Sequence, residues 1–595
     1  MAFKKPKNNE GNMRQQQQKT FISHDGCQLF YRYWPVIDSN ANQPNAIVIF
    51  HRGHEHSGRV AHLADELNLP DYQIFAWDAR GNGQSEGERG DAPNFATLIK
   101  DANCFIEHIM QEYNLRQENI AIIAQSVGAV IASAWVHDYV PNIRALVLGS
   151  PAFSVKLYVP LAVPGLKLLY NLKGNFFVNS YVKPNLLTHD SERATSFTKD
   201  PLITRPISIR LLLDLYSVSD RIVKDANAII VPTQLLVSGS DYVVRRKPQK
   251  QFYDNLGAQQ KEFHILPGFY HDIFGEKERK FAIDRARRFI IGCFANQLCV
   301  PSLVNADLVG YTRQEADNLT IPPSGLIKPI YWKFIKANLK YASKISYGIR
   351  LGIDTGFDSG STLDYVYRNE PSGTSKLGRF FDYVYLQSIG WRGIRQRKAH
   401  LEELLKLAIN KLYDQNYSVD LVDIAAGHGR YILETINQIA NKPNSILLRD
   451  YSDINVLAGQ KLIEEKGLVN IARFEKGDAF NRGQLAQLSP KPTLAVVSGL
   501  YELFSDNQLI RNSLSGLADS IPEGGYLIYT NQPWHPQLEF IARALTSHRD
   551  GQPWVMRRRT QREIEQLVAT AGFKKITMRI DQWGIFTVSL AQRIR

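Results

Sequence analysis

Ala124-Gln125-Ser126-Val127-Gly128 decides how the first half of the chain is read. Asn119-Ile120-Ala121-Ile122-Ile123 before it is an apolar run of strand type. Ala129-Val130-Ile131-Ala132-Ser133-Ala134-Trp135 after it is small and helix-permissive. Strand, sharp turn and helix with a serine at the turn is the context of a nucleophile elbow, which lifts the hydroxyl above a sheet. Small residues must flank the serine because strand and helix pass close together. The usual pattern is G-x-S-x-G, and Ala124 stands where the first glycine would be.

Working outward, Ala46 to Phe50 reads as a buried strand and feeds His51-Arg52-Gly53-His54-Glu55-His56-Ser57-Gly58-Arg59. Gln73 to Trp77 is another strand and ends in Asp78-Ala79-Arg80-Gly81-Asn82-Gly83-Gln84-Ser85. Helical spacing runs from about Phe95 to Tyr113. The alternation predicts a mostly parallel sheet with helices on both faces. Beyond the elbow, Thr233 to Asp241 is a strand ending in an acid, and Phe263 to His271 is a strand followed by a histidine loop. Ser, acid and His in that order suit nucleophilic acyl chemistry. His51, His54 and His56 have spacing seen in metal sites, but no second ligand cluster follows, so no metal is expected.

Together the Glu55–Arg59 loop, the Asp78–Ser85 motif and the elbow make residues 20–295 resemble the monoacylglycerol lipase and lysophospholipase branch of the α/β-hydrolases. The resemblance implies Ser126 as nucleophile, His271 as base, Asp241 as its orienting acid, and the N–H groups of Gly53 and Val127 as oxyanion hole. It also implies a helical cap, about residues 152–222, over an ester-hydrolysing site that takes a lipid or other acyl-ester substrate. Arg52 departs from the branch, which carries Gly there. A guanidinium at that point pairs with a local acid such as Glu55, points outward, or contacts a phosphate, and the last predicts a preference for lysophospholipid over neutral monoacylglycerol.

In the second half, Val419 to Asp423 is a buried strand ending in an acid, and Ile424-Ala425-Ala426-Gly427-His428-Gly429-Arg430 turns into a helix. Twenty-one residues past Gly429, Ile446 to Asp450 ends a second strand in an acid. Glycines that admit a ligand close to backbone, and an acid placed for ribose hydroxyls, are the logic of a doubly wound nucleotide-binding sheet. A nicotinamide enzyme is one reading. Gly477-Asp478-Ala479-Phe480, the strand Leu494 to Val497 and the turn Pro522-Glu523-Gly524-Gly525 resemble class I S-adenosylmethionine-dependent methyltransferases more closely, over residues 400–595. That resemblance implies S-adenosyl-L-methionine as cofactor, bound by Asp423, Gly427, Gly429, Asp450, Asp478 and Ala479. Tyr501, Glu502 and His535 fall near the expected acceptor side. A hydrolase carrying a non-catalytic S-adenosylmethionine-binding module is the rival reading.

The whole chain is then expected to be α/β in both halves: an α/β-hydrolase fold with a cap, then a Rossmann-like domain. Its 595 residues are too many for one core. Residues 1–19, with Gln15 to Gln18, read as a disordered tail, and residues 296–399 as a linker and helical segment. Four cysteines with no CxxC pair predict a reducing, cytoplasmic setting. The formal net charge of +13 favours anionic partners, here peripheral contact with an anionic membrane at its inner face rather than nucleic acid. No stretch of membrane-spanning length is interrupted by fewer than several charges or prolines.

Overall fold

Ile120–Gln125 is buried along its whole length, which a strand covered by helices on both faces requires. It lies at the centre of the first of two units. In the computed structural model, residues 14–37, 44–180, 182–297, 299–549 and 551–594 are described. The chain divides at Val300/Pro301 into two compact units.

The strands of the first unit are β1 (Gln17–Ile22), β2 (Gln28–Trp34), β3 (Asn45–Phe50), β4 (Tyr72–Trp77), β5 (Ile120–Gln125), β6 (Ala145–Gly149), β7 (Phe177–Asn179), β8 (Pro206–Ser208), β9 (Thr233–Ser238) and β10 (Lys261–Leu266). Eight of them form one sheet in the order β1-β2-β4-β3-β5-β6-β9-β10, parallel from β4 to β10. β7 and β8 pair separately within the cap. The order reverses beside β3, so the loops after β3 and β5 open at one crevice. The cap also holds the helices Ala162–Lys173, Ser191–Lys199 and Ile209–Lys224.

The second unit contributes β11 (Asp420–Asp423), β12 (Ser445–Asp450), β13 (Ala472–Lys476), β14 (Leu494–Val497), β15 (Tyr526–Asn531), β16 (Phe573–Ile580) and β17 (Thr587–Arg593). Their order is β13-β12-β11-β14-β15-β17-β16, with β17 antiparallel to both neighbours. The reversal falls at β11, between β12 and β14, so a ligand crevice is expected beyond the ends of those strands.

Two segments differ from the sequence reading. Gln17–Ile22, with its first three residues assigned to the tail, is an edge strand registered from Gln17 against Tyr33 to Ile22 against Gln28. Its side chains are mostly exposed, so no apolar run marks it; backbone pairing and the buried Phe21 hold it. The rest of the proposed tail, residues 1–13, lies outside the described residues. Residues 301–399, read as a linker and helical segment, are helical and belong to the second unit rather than linking the two. They form helices including Tyr311–Thr320, Ile327–Ala342, Lys376–Leu386 and the start of the long helix Ile389–Asp414. Long-range polar contacts fix them inside the second unit. Asp307 accepts from the backbone N–H of Asn507 (2.9 Å), Arg557 donates to Thr312 (3.0 Å), and Arg558 pairs with Glu315 (2.5 Å).

Candidate functional site

At the end of β5 the chain turns through Ser126 with φ 55° and ψ −118°, a strained conformation for a residue with a side chain. The surroundings hold it there. The Ser126 N–H donates to the Gly149 carbonyl (2.9 Å), and its own carbonyl accepts from Ala152 (3.1 Å). The helix Val127–Tyr139 then starts so close to β3 that a Cβ on Gly128 would lie 2.3 Å from the His51 carbonyl oxygen.

The strained turn presents Oγ to a histidine. His271 Nε2 is 2.8 Å from Ser126 Oγ, and His271 Nδ1 is 2.9 Å from Asp241 Oδ2. This geometry assigns the proton to Nδ1 and leaves Nε2 as acceptor for the serine hydroxyl. Asp241 Oδ1 accepts from the N–H groups of Val243 (2.7 Å) and Val244 (2.9 Å). Burial pushes the Asp241 carboxyl up, but His271 and these two N–H groups outweigh it, and the net shift is down. All three side chains are buried. Ser126 and His271 line a cavity of about 130 Å³ together with Gly53, Val127, Leu212 and Leu215, and Asp241 stands behind the histidine. Gly53 and Val127 are close enough that a Cβ on Gly53 would stand 2.9 Å from Val127 Cγ2.

Arg52 requires a correction. It borders the cavity, yet its fork is engaged by acids of the protein. Nε and one terminal nitrogen meet Glu55 at 3.0 and 2.5 Å, and the same terminal nitrogen lies 3.5 Å from Asp272. A buried guanidinium with two buried carboxylates has little left for a phosphate. Asp272, next to His271, escaped the sequence reading. It also binds Arg193 of the cap (2.6 Å) and receives Gln125 Nε2 (3.3 Å). The Asp78–Ser85 motif is architectural. Asp78 accepts from the N–H of Ser57 (2.6 Å) and of Gln84 (2.8 Å), tying the loop after β3 to the loop after β4.

In the second unit, a cavity of about 1020 Å³ opens at the ends of β11, β12 and β14. Gly427 and Gly429 line it with φ of 57° and 71°. A Cβ on Gly429 would sit 2.4 Å from Leu448 Cδ1. Asp450 lines it too, oriented by the N–H of Gly427 (3.0 Å) through one oxygen and of Ser452 (3.0 Å) through the other. Asp478, which accepts from the Phe480 N–H (2.8 Å), and Ala479 complete one wall. Asp423 does not reach the cavity. Fully buried beneath the glycine turn, it accepts from the Tyr431 hydroxyl and the Ala425 N–H (3.2 Å). Burial raises its carboxyl to about 7, Tyr431 and Ala425 opposing that only in part.

Asp358, Gly360 and Asp364 line the same cavity and were missed, because their segment was read as connecting sequence. The turn Gly356-Phe357-Asp358-Ser359-Gly360 was the available signal. The buried Ser498 Oγ and His428 Nε2, both on the lining, have no protein partner. Glycines that admit backbone contact, an oriented acid and unspent polar atoms fit a nucleoside-bearing cofactor that carries hydroxyls and positive charge. Of the residues expected on the acceptor side, Glu502 and His535 line a second cavity of about 290 Å³. Tyr501 is instead structural, buried with its hydroxyl on Ser513 Oγ (3.0 Å).

Comparison with known proteins agrees with the division into two units. A family described as "Putative methyltransferase" matches residues 286–593, and one described as "Serine aminopeptidase, S33" matches residues 41–278. The chain is 52% identical over 576 residues to "Uncharacterized protein YnbC" of Escherichia coli K12, covering 96% of this chain and 98% of that protein. It is 22% identical to a monoacylglycerol lipase of Mycolicibacterium smegmatis, covering 46% of this chain and 96% of the relative. It is 25% identical to phospholipase YtpA of Bacillus subtilis, covering 42% of this chain and 96% of the relative. The chain therefore belongs to this putative methyltransferase family, and the part that precedes the methyltransferase match has the α/β-hydrolase fold and is similar to monoacylglycerol lipases.

Proposed function

We propose that the chain is a bifunctional enzyme, a serine hydrolase of lipid-type carboxylic esters joined to an S-adenosylmethionine-dependent methyltransferase. The hydrogen-bonded series Ser126–His271–Asp241 is the observation that carries the first activity. Ser126 Oγ bonds the acyl carbon while His271 Nε2 takes its proton. The N–H groups of Val127 and Gly53 hold the resulting oxyanion, a contribution of about 3–4 kcal/mol for a lost donor. Asp241 stabilises the imidazolium, which returns the proton to the leaving alkoxide. Water then releases the acid by the same steps in reverse. With Arg52 neutralised by Glu55 and Asp272, and with Leu157, Val178, Leu212 and Leu215 on the wall, the site favours a neutral glyceride over a lysophospholipid.

For the second activity, S-adenosyl-L-methionine would supply a methyl group already activated by its sulfonium. Asp450 would accept ribose hydroxyls, Asp478 and Ala479 would flank the base, and Gly427 and Gly429 would let the turn close on the ligand. Asp423 acts one layer back, holding the turn through Ala425 and Tyr431.

Labelling with a fluorophosphonate probe tests the hydrolase. Ser126→Ala should lose both the label and p-nitrophenyl ester hydrolysis with an unchanged melting curve, and undiminished turnover would refute the assignment. Calorimetric titration tests the cofactor. One S-adenosylmethionine should bind per chain, and Asp450→Ala should weaken it by ~tenfold or more, the value of hydrogen bonds to a charged acceptor. Binding of a nicotinamide cofactor in its place would overturn that reading.

Among the described residues, no helix is long and apolar enough to cross a membrane. The cap helix Ala162–Lys173 nonetheless exposes Leu168 and Leu172 beside Lys167 and Lys173, which supports peripheral contact with an anionic lipid surface.

A further inference from the structure

We propose that the cavity of about 290 Å³ in the second unit is the acceptor site, and that it takes a long-chain amphiphile bearing a hydroxyl or amine, with Glu502 receiving the proton released on methylation. The methylation step rests on the methyltransferase reading above; the binding of the amphiphile does not.

Position is the first argument. Asp358, Leu363, Gly499 and Leu503 line both this cavity and the one assigned to the cofactor, so the two chambers adjoin across a common wall. The lining is the second. Ile349, Phe357, Trp391, Ile394, Ile541 and Met556 make it a largely apolar chamber, suited to hydrocarbon and poorly suited to a sugar, a nucleobase or a charged peptide.

Third, the few polar groups on that wall are incompletely paired. Glu502 is buried, with one oxygen receiving the Thr530 hydroxyl (2.7 Å). Its other oxygen, Oε2, is buried with no protein partner. Thr530 Oγ1 in turn accepts from the N–H of Gly499 (2.8 Å), a residue of the shared wall. The carboxylate is thus locked to the boundary between the chambers. Arg397 Nε, Gln532 Nε2 and Trp554 Nε1 are likewise buried without protein partners. Buried polar atoms are nearly always paired, so a set of four around one apolar chamber marks the place of a ligand's polar end. Oε2 can only accept when the carboxylate is ionised, which selects a ligand with an O–H or N–H to donate.

The mouth is the fourth argument. Phe381 and Val384 line the cavity yet are 38% and 51% exposed. On the same helix, Lys376–Leu386, Leu377 and Phe380 are each 60% exposed, an apolar track along which a chain longer than the cavity can lie. A small polar acceptor would need no such track.

In the reaction, the acceptor oxygen or nitrogen bonds the methyl carbon as the methyl–sulfur bond breaks. That bond's electron pair remains on sulfur, leaving a neutral thioether, and the acceptor's proton passes to Glu502 Oε2 and on to solvent. The remaining requirement is in-line alignment, which the shared wall supplies.

The test uses the full chain without cofactor and 2-bromododecan-1-ol, whose bromine stands beside the hydroxyl, since bromine quenches nearby indoles. Trp391 and Trp554 both line the cavity. Saturable quenching should fall by more than half when both are replaced by Phe. Quenching that never saturates, or that is equal in the double variant, places the amphiphile elsewhere and overturns the proposal. Glu502→Gln, which keeps an oxygen acceptor but loses the charge, should weaken the quenching midpoint by about tenfold at most. With methyl-labelled S-adenosylmethionine and dodecanol or dodecylamine, it should lower kcat by about a hundredfold, well beyond any rise in KM, the scale of a lost general base. Undiminished kcat would remove Glu502 from its role. Should titration find no S-adenosylmethionine binding, the methyltransferase reading fails by itself, and the quenching still decides whether the cavity holds an amphiphile.

Discussion

Asp423 ends a strand in the place where the sequence predicts a ligand contact, but it spends its carboxyl inside the protein. Its pKa, raised by burial to about 7, has a definite sign for stability. Well below pH 4 the folded and unfolded chains both carry it protonated, and it contributes nothing. Between about pH 4 and 7 the unfolded chain ionises first, so stability falls as pH rises, by up to about 4 kcal/mol once both states are ionised. Asp423→Asn removes that cost while retaining an acceptor for Tyr431. The melting temperature of the variant relative to the parent should therefore rise from pH 5 to pH 8, by roughly 2–4 °C per kcal/mol. Thermal scans across that range check it, and parallel curves would contradict it. Arg52 teaches a complementary lesson. Its departure from the lipase pattern is plain in the sequence, but its two acids are Glu55, three residues on, and Asp272, distant in the chain. Local reading offers a choice between headgroup and neighbour, and the remote carboxylate, visible only in the fold, decides it.

At the scale of elements, what the sequence displays best is strand-turn-helix units with both faces buried. β5 with its elbow carries an uninterrupted apolar run, β11 with its glycine turn a short buried one, and both have small residues where backbones converge and polar residues at the strand ends. Ser126, Asp241 and His271 could be placed for that reason: each stands at the end of, or in the loop after, a strand. The edge strand Gln17–Ile22 and the helices of residues 301–399 were not legible in the same way. One is polar on both faces, and the others are held by partners two hundred residues away. The elbow itself yields a prediction. Gly128→Ala brings a methyl against the His51 and Phe50 carbonyls, backbone atoms with little freedom to retreat. It should cost about 1–3 kcal/mol and shift the loop carrying Gly53, lowering ester turnover. Ala124→Gly, at the other flank, should preserve turnover. Denaturant melts and p-nitrophenyl ester kinetics on the pair separate the outcomes, and equal behaviour would contradict the close-approach argument.

For the whole molecule, each unit has its own sheet and its own buried core, so each should survive separation at 300/301. A fragment beginning at residue 301 should melt cooperatively and bind S-adenosylmethionine, whereas one beginning at 400 should not. The shorter piece strips Arg558 of Glu315 and Arg557 of Thr312, and removes Asp358, Gly360 and Asp364 from the large cavity. Each lost contact to a buried guanidinium costs about 1–3 kcal/mol against a total stability of about 5–15, and the packing of the helices goes with them, so the shorter piece should not hold its fold. Circular dichroism melts of the two fragments decide the matter, and a folded 400–595 piece would contradict it. This sets the grain along which the gene can be cut. A recombination that joined new coding sequence at the start of the visible glycine-rich motif would inherit a broken module. One that joined it at codon 301, about 120 codons earlier, would inherit a working one. The helical stretch is thus part of the heritable unit, and its fortunes under selection should follow those of the sheet it serves rather than those of the hydrolase that precedes it.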